Sequence, residues 1–381
     1  MTELSAREPA KVLVVFGTRP EAIKLAPVIM ELESHPASFR TLVCATGQHQ
    51  EMLDDVLRVF RLRPHENLRV MRPGQTLTQV TTATLEGLER VLTRERPHLM
   101  LVQGDSTTAM TAALAAYYHR VPVGHVEAGL RTNDKYRPFP EEINRRLATS
   151  LADFHFAPTD ASRENLLREG IREKDVAVTG NTVIDALVHI RARLLEDPGL
   201  ALDPLGSGET RKIIVVTAHR RESFGEQFRQ MCEAIRAVAE RRPDVLIVYP
   251  VHLNPNVQGP VHEILQGVCN VRLVPPMNYA SFVALMVRAH ILLTDSGGLQ
   301  EEGPALGKPV LVMRETSERP EGMAAGASVL VGTTPDRIVG AVLSLLDDSE
   351  RYHAMASGTH PYGDGRAAER IVQFLRDRRL A

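Results

Sequence analysis

Short apolar runs alternate with amphipathic segments along almost the whole chain, and this alternation limits the fold more than any other feature. After VLVVF near the start, the runs of the first half are TLVCAT (41–46), HLMLVQ (98–103), VPVGHV (121–126), DFHFAP (153–158) and VAVTG (176–180). Such runs indicate buried strands, and the amphipathic segments between them, such as 77–95 and 106–119, indicate helices. Strands that alternate with helices predict parallel sheets with helices on both faces.

The alternation weakens once, over residues 195–211, LEDPGLALDPLGSGETR, which is rich in Pro, Gly and Asp. It resumes with KIIVVTAH (212–219), VLIVYPVH (245–252), VRLVPP (271–276), HILLTDS (290–296) and PVLVM (309–313). A turn-rich break between two such series indicates a linker between two domains. The sequence therefore predicts an α/β protein with two doubly wound, Rossmann-like, parallel-sheet domains that face a central cleft, at 1–185 and 186–365.

Composition narrows the class of protein. The chain has 381 residues, enough for two domains with complete cores, and its net charge of −2 argues against a nucleic-acid partner. The three cysteines, Cys44, Cys232 and Cys269, are far apart, which argues against a disulfide framework and a zinc site. The first residues, MTELSAREPAK, show no apolar signal segment, and no apolar run is long enough for a membrane span. We therefore expect a cytoplasmic protein that is not bound to a membrane.

Glycines and ionisable groups collect where the predicted strands end. These positions are 17–19, 46–49, 103–106 and 125–131 in the first half, and 217–222 and 295–298 in the second. Ligands of doubly wound sheets bind outside the carboxyl ends of the strands. We therefore expect these groups to line one common cleft.

The first strand leads into GTRPEAIK, where a proline lies in the first turn of the next helix. A dinucleotide-binding enzyme would have G-x-G-x-x-G at this junction, whereas this chain has one glycine and then Arg19. The amino end of a helix carries positive partial charge, so an arginine there predicts an anionic ligand that both bind. Lys24 by itself is more typical of a solvated helix face, and Arg220 and Arg221 beside His219 are either further donors or solvated.

The second half contains a candidate phosphate site in TDSGGLQEE. Ser296 is placed to cap the next helix, and Gly297 and Gly298 would let backbone N–H groups approach a phosphate closely. Glu302, further along that helix, could accept hydrogen bonds from two ribose hydroxyls. The plain alternative is a serine-capped turn before a helix.

Three acids follow or flank the predicted strands. Asp105 is either a helix cap or a functional acid, whereas Glu127 would cap poorly and is therefore more typical of a functional group. Glu141 and Arg145 have the i,i+4 spacing of a surface ion pair, but they belong to a proline-stiffened loop. Acids and cations in one cleft predict acid–base chemistry on a phosphorylated or nucleotide-linked substrate. No metal motif of the D-x-D or H-E-x-x-H type is present, so we expect no metal.

The ordered motifs FGTRPEAIKLAPVI, TGQH, VQGDSTT, HVEAGLRT, PFPEEINRR, GNTVID, VTAHRRESFG and LLTDSGGLQEEGPALGKPVLVMRETSERPEG cover most of the chain. As a set they resemble the non-hydrolysing UDP-N-acetylglucosamine 2-epimerase family. The resemblance implies a GT-B-like fold with a UDP-binding second domain, UDP between the two domains, and a C-terminal helix, 366–381, that returns to the first domain. It also implies a homodimer that interconverts UDP-GlcNAc and UDP-ManNAc without a cofactor, supplying ManNAc units for surface polysaccharides.

The family's functional residues fall on named positions of this chain. The resemblance implies that the catalytic residues are Asp105, Glu127, Glu141 and His219. It implies that the substrate-binding residues are Arg19, Lys24, Arg145, Phe282, Ser296, Gly297, Gly298 and Glu302. Some bacterial members bind a second UDP-GlcNAc as an activator, which points to Gln48 and His49, although Gly74 stands where an arginine is expected.

The implied chemistry explains why several acids are present. Loss of UDP from C1 of the sugar acidifies the C2 proton, and a carboxylate takes it to give 2-acetamidoglucal. Return of the proton to the opposite face requires at least a second acid–base group. The alternatives are a hydrolysing epimerase that releases ManNAc and UDP, a GT-B glycosyltransferase, and a non-catalytic nucleotide-sugar sensor. The joint presence of three acids argues against the sensor.

Overall fold

The structure is a computed structural model that describes residues 8–47, 50–72, 74–206, 208–317, 319–358 and 360–378. The described chain forms two compact units. The first unit extends to His189 and includes the chain from Gly363 onward, and the second unit is Ile190–Tyr362. The chain leaves the first unit within a helix, Thr182–Glu196, so segment 195–211 belongs to the second unit.

The first unit contains strands and helices in regular alternation. The strands are β1 (Ala10–Phe16), β2 (Phe39–Ala45), β3 (Glu66–Asn67), β4 (Leu99–Gln103), β5 (Val123–Val126), β6 (Phe154–Ala157) and β7 (Val176–Val178). The helices are α1 (Arg19–Glu33), α2 (Gln50–Phe60), α3 (Leu77–Glu95), α4 (Thr107–Tyr118), α5 (Glu141–Leu151), α6 (Asp160–Arg168) and α7 (Thr182–Glu196).

The second unit repeats this alternation. Its strands are β8 (Lys212–Thr217), β9 (Val245–Pro250), β10 (Val271–Val274), β11 (Ile291–Thr294), β12 (Val310–Val312) and β13 (Ser328–Leu330). Its helices are α8 (Glu226–Arg241), α9 (Pro255–Leu265), α10 (Tyr279–Arg288), α11 (Leu299–Ala305), α12 (Pro320–Ala324), α13 (Pro335–Asp347) and α14 (Ser349–Ala356). The last helix, α15 (Ala367–Asp377), packs against α1 in the first unit.

The sheet of the first unit is parallel, in the order β3-β2-β1-β4-β5-β6-β7. Val12 of β1 pairs with Thr41 of β2 on one side and with Leu99 of β4 on the other. The strand order therefore reverses between β1 and β4, and doubly wound sheets bind their ligands at the carboxyl ends beside such a reversal. Because helices cover both faces, the central strands β4 and β5 are buried along their whole length, and so are Val12 and Val14 of β1.

The sheet of the second unit is also parallel, in the order β10-β9-β8-β11-β12-β13. Its order reverses between β8 and β11, so its expected ligand position lies at the ends of these two strands. The predicted fold class, α/β with two doubly wound parallel sheets, is therefore confirmed. Among the described residues, no helix combines the length and the apolar character that crossing a bilayer requires.

Candidate active site

Glu21 joins the two strand ends at the reversal point of the first sheet. Its Oε2 accepts hydrogen bonds from the backbone N–H groups of Gly17 (2.9 Å) and Thr18 (2.6 Å), after β1. Its Oε1 accepts one from the hydroxyl of Ser106, after β4. Burial raises the pKa of Glu21, and these hydrogen bonds oppose the rise. Sequence analysis missed Glu21, although the T-x-x-E spacing of a capping box was a signal for it.

The loop between β1 and α1 approaches its neighbours closely. A Cβ atom at Gly17 would overlap the hydroxyl groups of Thr46 and Thr108, so only glycine fits at this end of β1. Two residues later, the half-buried Arg19 is the first residue of α1. The structure thus places Arg19 at the helix end and at the reversal point, as the sequence pattern predicts.

Asp105 lies directly before α4 but does not cap it. The cap is Ser106, whose hydroxyl accepts a hydrogen bond from the backbone N–H of Ala109 (3.0 Å). The carboxylate of Asp105 instead forms an ion pair with Arg145 of α5, and the Asp105 carbonyl oxygen accepts a hydrogen bond from Nδ2 of Asn144 (3.0 Å). The interpretation of Asp105 as a helix cap is therefore wrong.

Arg145 is buried within α5, so the alternative of a solvated surface pair with Glu141 is wrong as well. Besides Asp105, Arg145 contacts the carboxylate of Glu142, with 3.4 Å between Nη1 and Oε2. Glu142 is fully buried and also accepts hydrogen bonds from Arg146 and from the backbone N–H groups of residues 132 and 133. Glu141, the first residue of α5, is half-buried. Sequence analysis missed Glu142, which only its position beside Glu141 in PFPEE could have indicated.

Glu127 follows β5 and is buried, with its carboxylate held from two other elements. Oε2 accepts a hydrogen bond from Nδ2 of Asn181 (2.9 Å) and forms an ion pair with Nζ of Lys24. The interpretation of Lys24 as a solvated residue is wrong, because it is 8% exposed and contacts Glu127. The backbone of Glu127 has a φ of +63°, in the left-handed region that non-glycine residues occupy at a cost.

His125 stands two residues before Glu127 and supports the same corner. It is fully buried, and its Nε2 lies 2.7 Å from the carbonyl oxygen of Gly104, to which it donates. Burial lowers the pKa of His125 to about 4, so the ring is neutral near pH 7. A Cβ placed at Gly104 would lie 4.0 Å from Oε1 of Glu127, so this carboxylate faces the loop that carries Asp105.

In the second unit, Asp295 joins the two strand ends at the reversal point. Its fully buried Oδ2 accepts hydrogen bonds from the backbone N–H groups of His219 (2.7 Å) and Arg220 (2.8 Å). Nδ1 of His219 lies 3.6 Å from Oδ1 of Asp295, and the His219 ring stacks on the ring of His252. The side chain of His219 is 42% exposed, so it is both oriented and accessible. Sequence analysis included Asp295 only among the groups at the strand ends and gave it no role of its own.

The SGG segment differs from the prediction in one respect. Helix α11 begins at Leu299, and Gly298 precedes it without any side-chain cap, so Ser296 is not the capping residue. The chain turns at this point through the carbonyl of Gly297, which accepts a hydrogen bond from the backbone N–H of Gln300 (3.1 Å).

Ser296, Gly298 and Glu302 nevertheless share one corner. A Cβ at Gly298 would lie 3.6 Å from Oε2 of Glu302 and 3.9 Å from Oγ of Ser296. Glu302 is buried, and its Oε1 accepts a hydrogen bond from the hydroxyl of Tyr279 in α10 (2.8 Å). Phe282, half-buried, lies one helical turn after Tyr279.

The two residues that the sequence analysis assigned to a possible activator site, Gln48 and His49, lie outside the described residues. Within the part of the chain that the structure describes, no three His, Cys, Asp or Glu side chains are grouped so as to hold a metal ion.

Known proteins are similar to this chain in sequence and in fold over nearly their whole length. The profile of the family described as UDP-N-acetylglucosamine 2-epimerase matches residues 30–376. The UDP-N-acetylglucosamine 2-epimerase of Yersinia pestis is 53% identical over 374 residues, covering 97% of this chain and 99% of the relative. That of Escherichia coli K12 is 51% identical over 375 residues, covering 97% of this chain and 100% of the relative.

A solved structure supports the same assignment. The crystal structure of UDP-GlcNAc 2-epimerase from Neisseria meningitidis bound to UDP-GlcNAc has a TM-score of 0.92 and 47% identity to this chain. The similarity covers 96% of this chain and 100% of that one. With two doubly wound sheets, acids at the strand ends and this extent of identity, the chain belongs to the UDP-N-acetylglucosamine 2-epimerase family.

Proposed function

We propose that this protein interconverts UDP-GlcNAc and UDP-ManNAc by elimination and re-addition of UDP, without net hydrolysis. Its relatives are named for UDP-N-acetylglucosamine 2-epimerase activity, which supports the substrate. The observation that carries the proposal is the pair of carboxylate–cation contacts in the first unit, Asp105 with Arg145 and Glu127 with Lys24.

These contacts suit acid–base chemistry. A cation beside a carboxylate favours its ionised form, which is the form that takes a proton from carbon. Asp105 and Glu127 follow adjacent strands, β4 and β5, and Glu141 begins the helix whose Arg145 holds Asp105. The first unit thus supplies three acids from neighbouring segments, enough for proton transfer on both faces of the sugar.

We assign UDP binding to the second unit. The carboxylate of Glu302, oriented by Tyr279, suits two ribose hydroxyls, and Phe282 on the same helix suits the base. His219, oriented through Asp295, and the Gly297–Gly298 turn are assigned to the diphosphate. Arg19, at the amino end of α1 in the first unit, is assigned to an anionic group of the substrate, because a helix amino end and a guanidinium both favour an anion.

The proposed reaction balances without an oxidant or a reductant. One carboxylate takes the proton from C2, the electrons of that bond form the C1=C2 double bond, and the C1–O bond breaks with its electrons moving to UDP. In the return direction UDP oxygen bonds to C1, and another acid delivers a proton to the opposite face of C2. The hydrogen leaves and returns as a proton, so a nicotinamide has no role in the proposed steps.

The test is to incubate the purified protein with UDP-GlcNAc in D2O and to follow the sugar signals by NMR. We expect UDP-ManNAc with deuterium at C2 and no build-up of free ManNAc. Asp105→Asn, Glu127→Gln and Glu141→Gln should each slow turnover by about 10²-fold or more, with a much smaller change in UDP affinity. Free ManNAc as the end product would show the hydrolysing reaction instead, and product without C2 deuterium would exclude elimination.

We also propose that the protein works as a homodimer. Large apolar side chains are exposed on α4, on α5 and in the segment before α5, namely Tyr117, Tyr118, Tyr136, Phe139, Ile143 and Leu147. Exposed aromatic and aliphatic groups in this number are typical of a face that binds another protein. Light scattering should give the mass of a dimer for the wild type and of a monomer for Leu147→Asp, whereas a monomeric wild type would contradict this proposal. The cytoplasmic location and the role in polysaccharide synthesis stay predictions.

A further inference from the structure

Asn181, in the motif GNTVID, is the residue of that motif that reaches Glu127. It is 1% exposed, and its Nδ2 donates to Oε2 of Glu127 across 2.9 Å. Its Oδ1 accepts a hydrogen bond from the backbone N–H of Val183 (3.1 Å). Because the oxygen of the amide is held by a donor, the nitrogen must point to Glu127, and the direction of the contact is fixed.

Two different donors therefore converge on one oxygen of Glu127. Lys24 supplies a positive charge to Oε2, and Asn181 supplies a neutral donor to the same atom. With Oε2 held in this way, Oε1 is the oxygen turned towards Gly104 and the Asp105 loop. The left-handed backbone at Glu127 costs free energy, and its carboxylate is held by Lys24 of α1 and by Asn181, directly before α7.

We propose that Asn181 is a positioning residue, which holds Glu127 as an oriented carboxylate with Oε1 directed at the reacting sugar. The inference rests on the proposed function, because it takes Glu127 as one of the acid–base groups. Asn181 itself touches no reacting atom in this account; it acts through Glu127.

The segment that carries Asn181 is fastened by the C-terminal return of the chain. Nη1 of Arg370 donates to the carbonyl oxygen of Thr179 (3.0 Å), and Asp185 accepts from the backbone N–H of Ala368 (2.8 Å). A Cβ at Gly363 would lie 3.1 Å from Cα of Gly180, so the returning chain packs directly on the residue before Asn181. The C-terminal segment therefore supports the backbone on both sides of Asn181.

Charged and titratable groups near Glu127 include residues of α1, of β5 and of the loop after β4. α1 contributes Lys24, and β5 contributes His125, which burial keeps neutral near pH 7. The loop after β4 contributes Asp105, which Arg145 of α5 pairs with. Unlike Lys24, Asn181 is an uncharged donor. Replacing it with alanine therefore changes the hydrogen bonding of Glu127 but not the net charge of the site.

The test compares Asn181→Ala and Asn181→Asp with the wild type. Hydrogen bonds to a carboxylate favour its charged form, so losing one should move the acid limb of the kcat/KM profile to higher pH by about one unit. We expect kcat to fall by about 10-fold or more while KM changes by less than about 3-fold. Asn181→Asp should shift the limb further than Asn181→Ala, since two adjacent carboxylates disfavour ionisation.

The control is Asn270→Ala in the second unit. Asn270 is also buried, but its Nδ2 donates to backbone carbonyls, those of residues 239, 242 and 245. Its loss should lower the melting temperature without moving the acid limb. An acid limb that stays at the wild-type pH in both Asn181 variants would overturn the inference, and so would an equal shift in Asn270→Ala.

A second measurement does not depend on turnover. Carbon-13 NMR of protein labelled at the glutamate carboxyl carbons, assigned with Glu127→Gln, follows protonation of Glu127 directly. The Glu127 signal should titrate at higher pH in Asn181→Ala than in the wild type, and coincident titrations would refute the positioning role. If the wild type converts no UDP-GlcNAc, the proposed function fails, and this titration alone decides whether Asn181 holds Glu127.

Discussion

The structure predicts whether the contribution of Asp185 to folding stability rises or falls with pH. It lies in α7, is 7% exposed, and its Oδ1 accepts a hydrogen bond from the backbone N–H of Ala368 at the start of α15. Burial raises its pKa from 3.8 to about 6, against the opposing effect of the backbone hydrogen bonds. The shift of about two pKa units corresponds to about 3 kcal/mol at 1.36 kcal/mol per unit.

Folding disfavours the ionised form of Asp185, so its contribution to stability decreases as pH rises. Below about pH 4 the carboxyl is protonated in both the folded and the unfolded chain, and Asp185 carries no penalty. As pH rises from about 4 to about 6, the unfolded chain ionises this carboxyl while the folded chain keeps it protonated, so this part of the stability is lost and the loss is complete above about pH 6. Asn at this position keeps the acceptor for Ala368 and does not titrate, so it removes the pH dependence.

We therefore expect the stability difference between Asp185→Asn and the wild type to grow in favour of the variant by up to about 3 kcal/mol between pH 4 and pH 8. Effects of the substitution that are independent of pH cancel in this comparison. For a unit of this size the difference in midpoint temperature should widen by about 6 °C or more.

The assay is thermal unfolding at several pH values, followed by circular dichroism because the chain contains no tryptophan. Asp160→Asn is the matched control, since Asp160 is exposed in the first turn of α6. Its unfolding curves should stay parallel to the wild type across the range. A constant gap for Asp185→Asn from pH 4 to pH 8 would refute the reasoning, because the carboxylate would then not be buried against α15.

Three further predictions concern the site. Glu302→Ala should remove most of the thermal stabilisation that UDP gives, and Tyr279→Phe should remove less of it because the carboxylate remains. Equal stabilisation of the wild type and Glu302→Ala at millimolar UDP would contradict the ribose assignment. Arg145→Met leaves Asp105 and the buried Glu142 without their shared cation, so it should lower the free energy of unfolding by about 3–5 kcal/mol and slow turnover. A variant as stable as the wild type in urea unfolding would exclude this role. Activity should survive dialysis against EDTA without added nicotinamide, and rescue by a metal ion or NAD would overturn the proposed steps.

Several residues of the site could be predicted from their position in the sequence alone. The acids Asp105 and Glu127 and the helix-end Arg19 were singled out because each follows a predicted strand, and the structure places all three at strand ends. Glu21 and Glu142 were missed, and Asp295 was given no role of its own, although the three hold the site together. Each of them also binds a partner in another segment, such as Ser106 for Glu21 and the backbone of His219 for Asp295, and such a contact leaves no mark on local sequence.

The sequence by itself determined the alternation of strands and helices, and with it the two doubly wound sheets, because hydrophobic periodicity is a local property of neighbouring residues. Only the tertiary structure decided which charges meet. Lys24 and Glu127 are 103 residues apart in the chain, and Asp105 and Arg145 are 40 apart. Both pairs exist because the sheet order sets β1, β4 and β5 side by side, and that order results from packing the whole core.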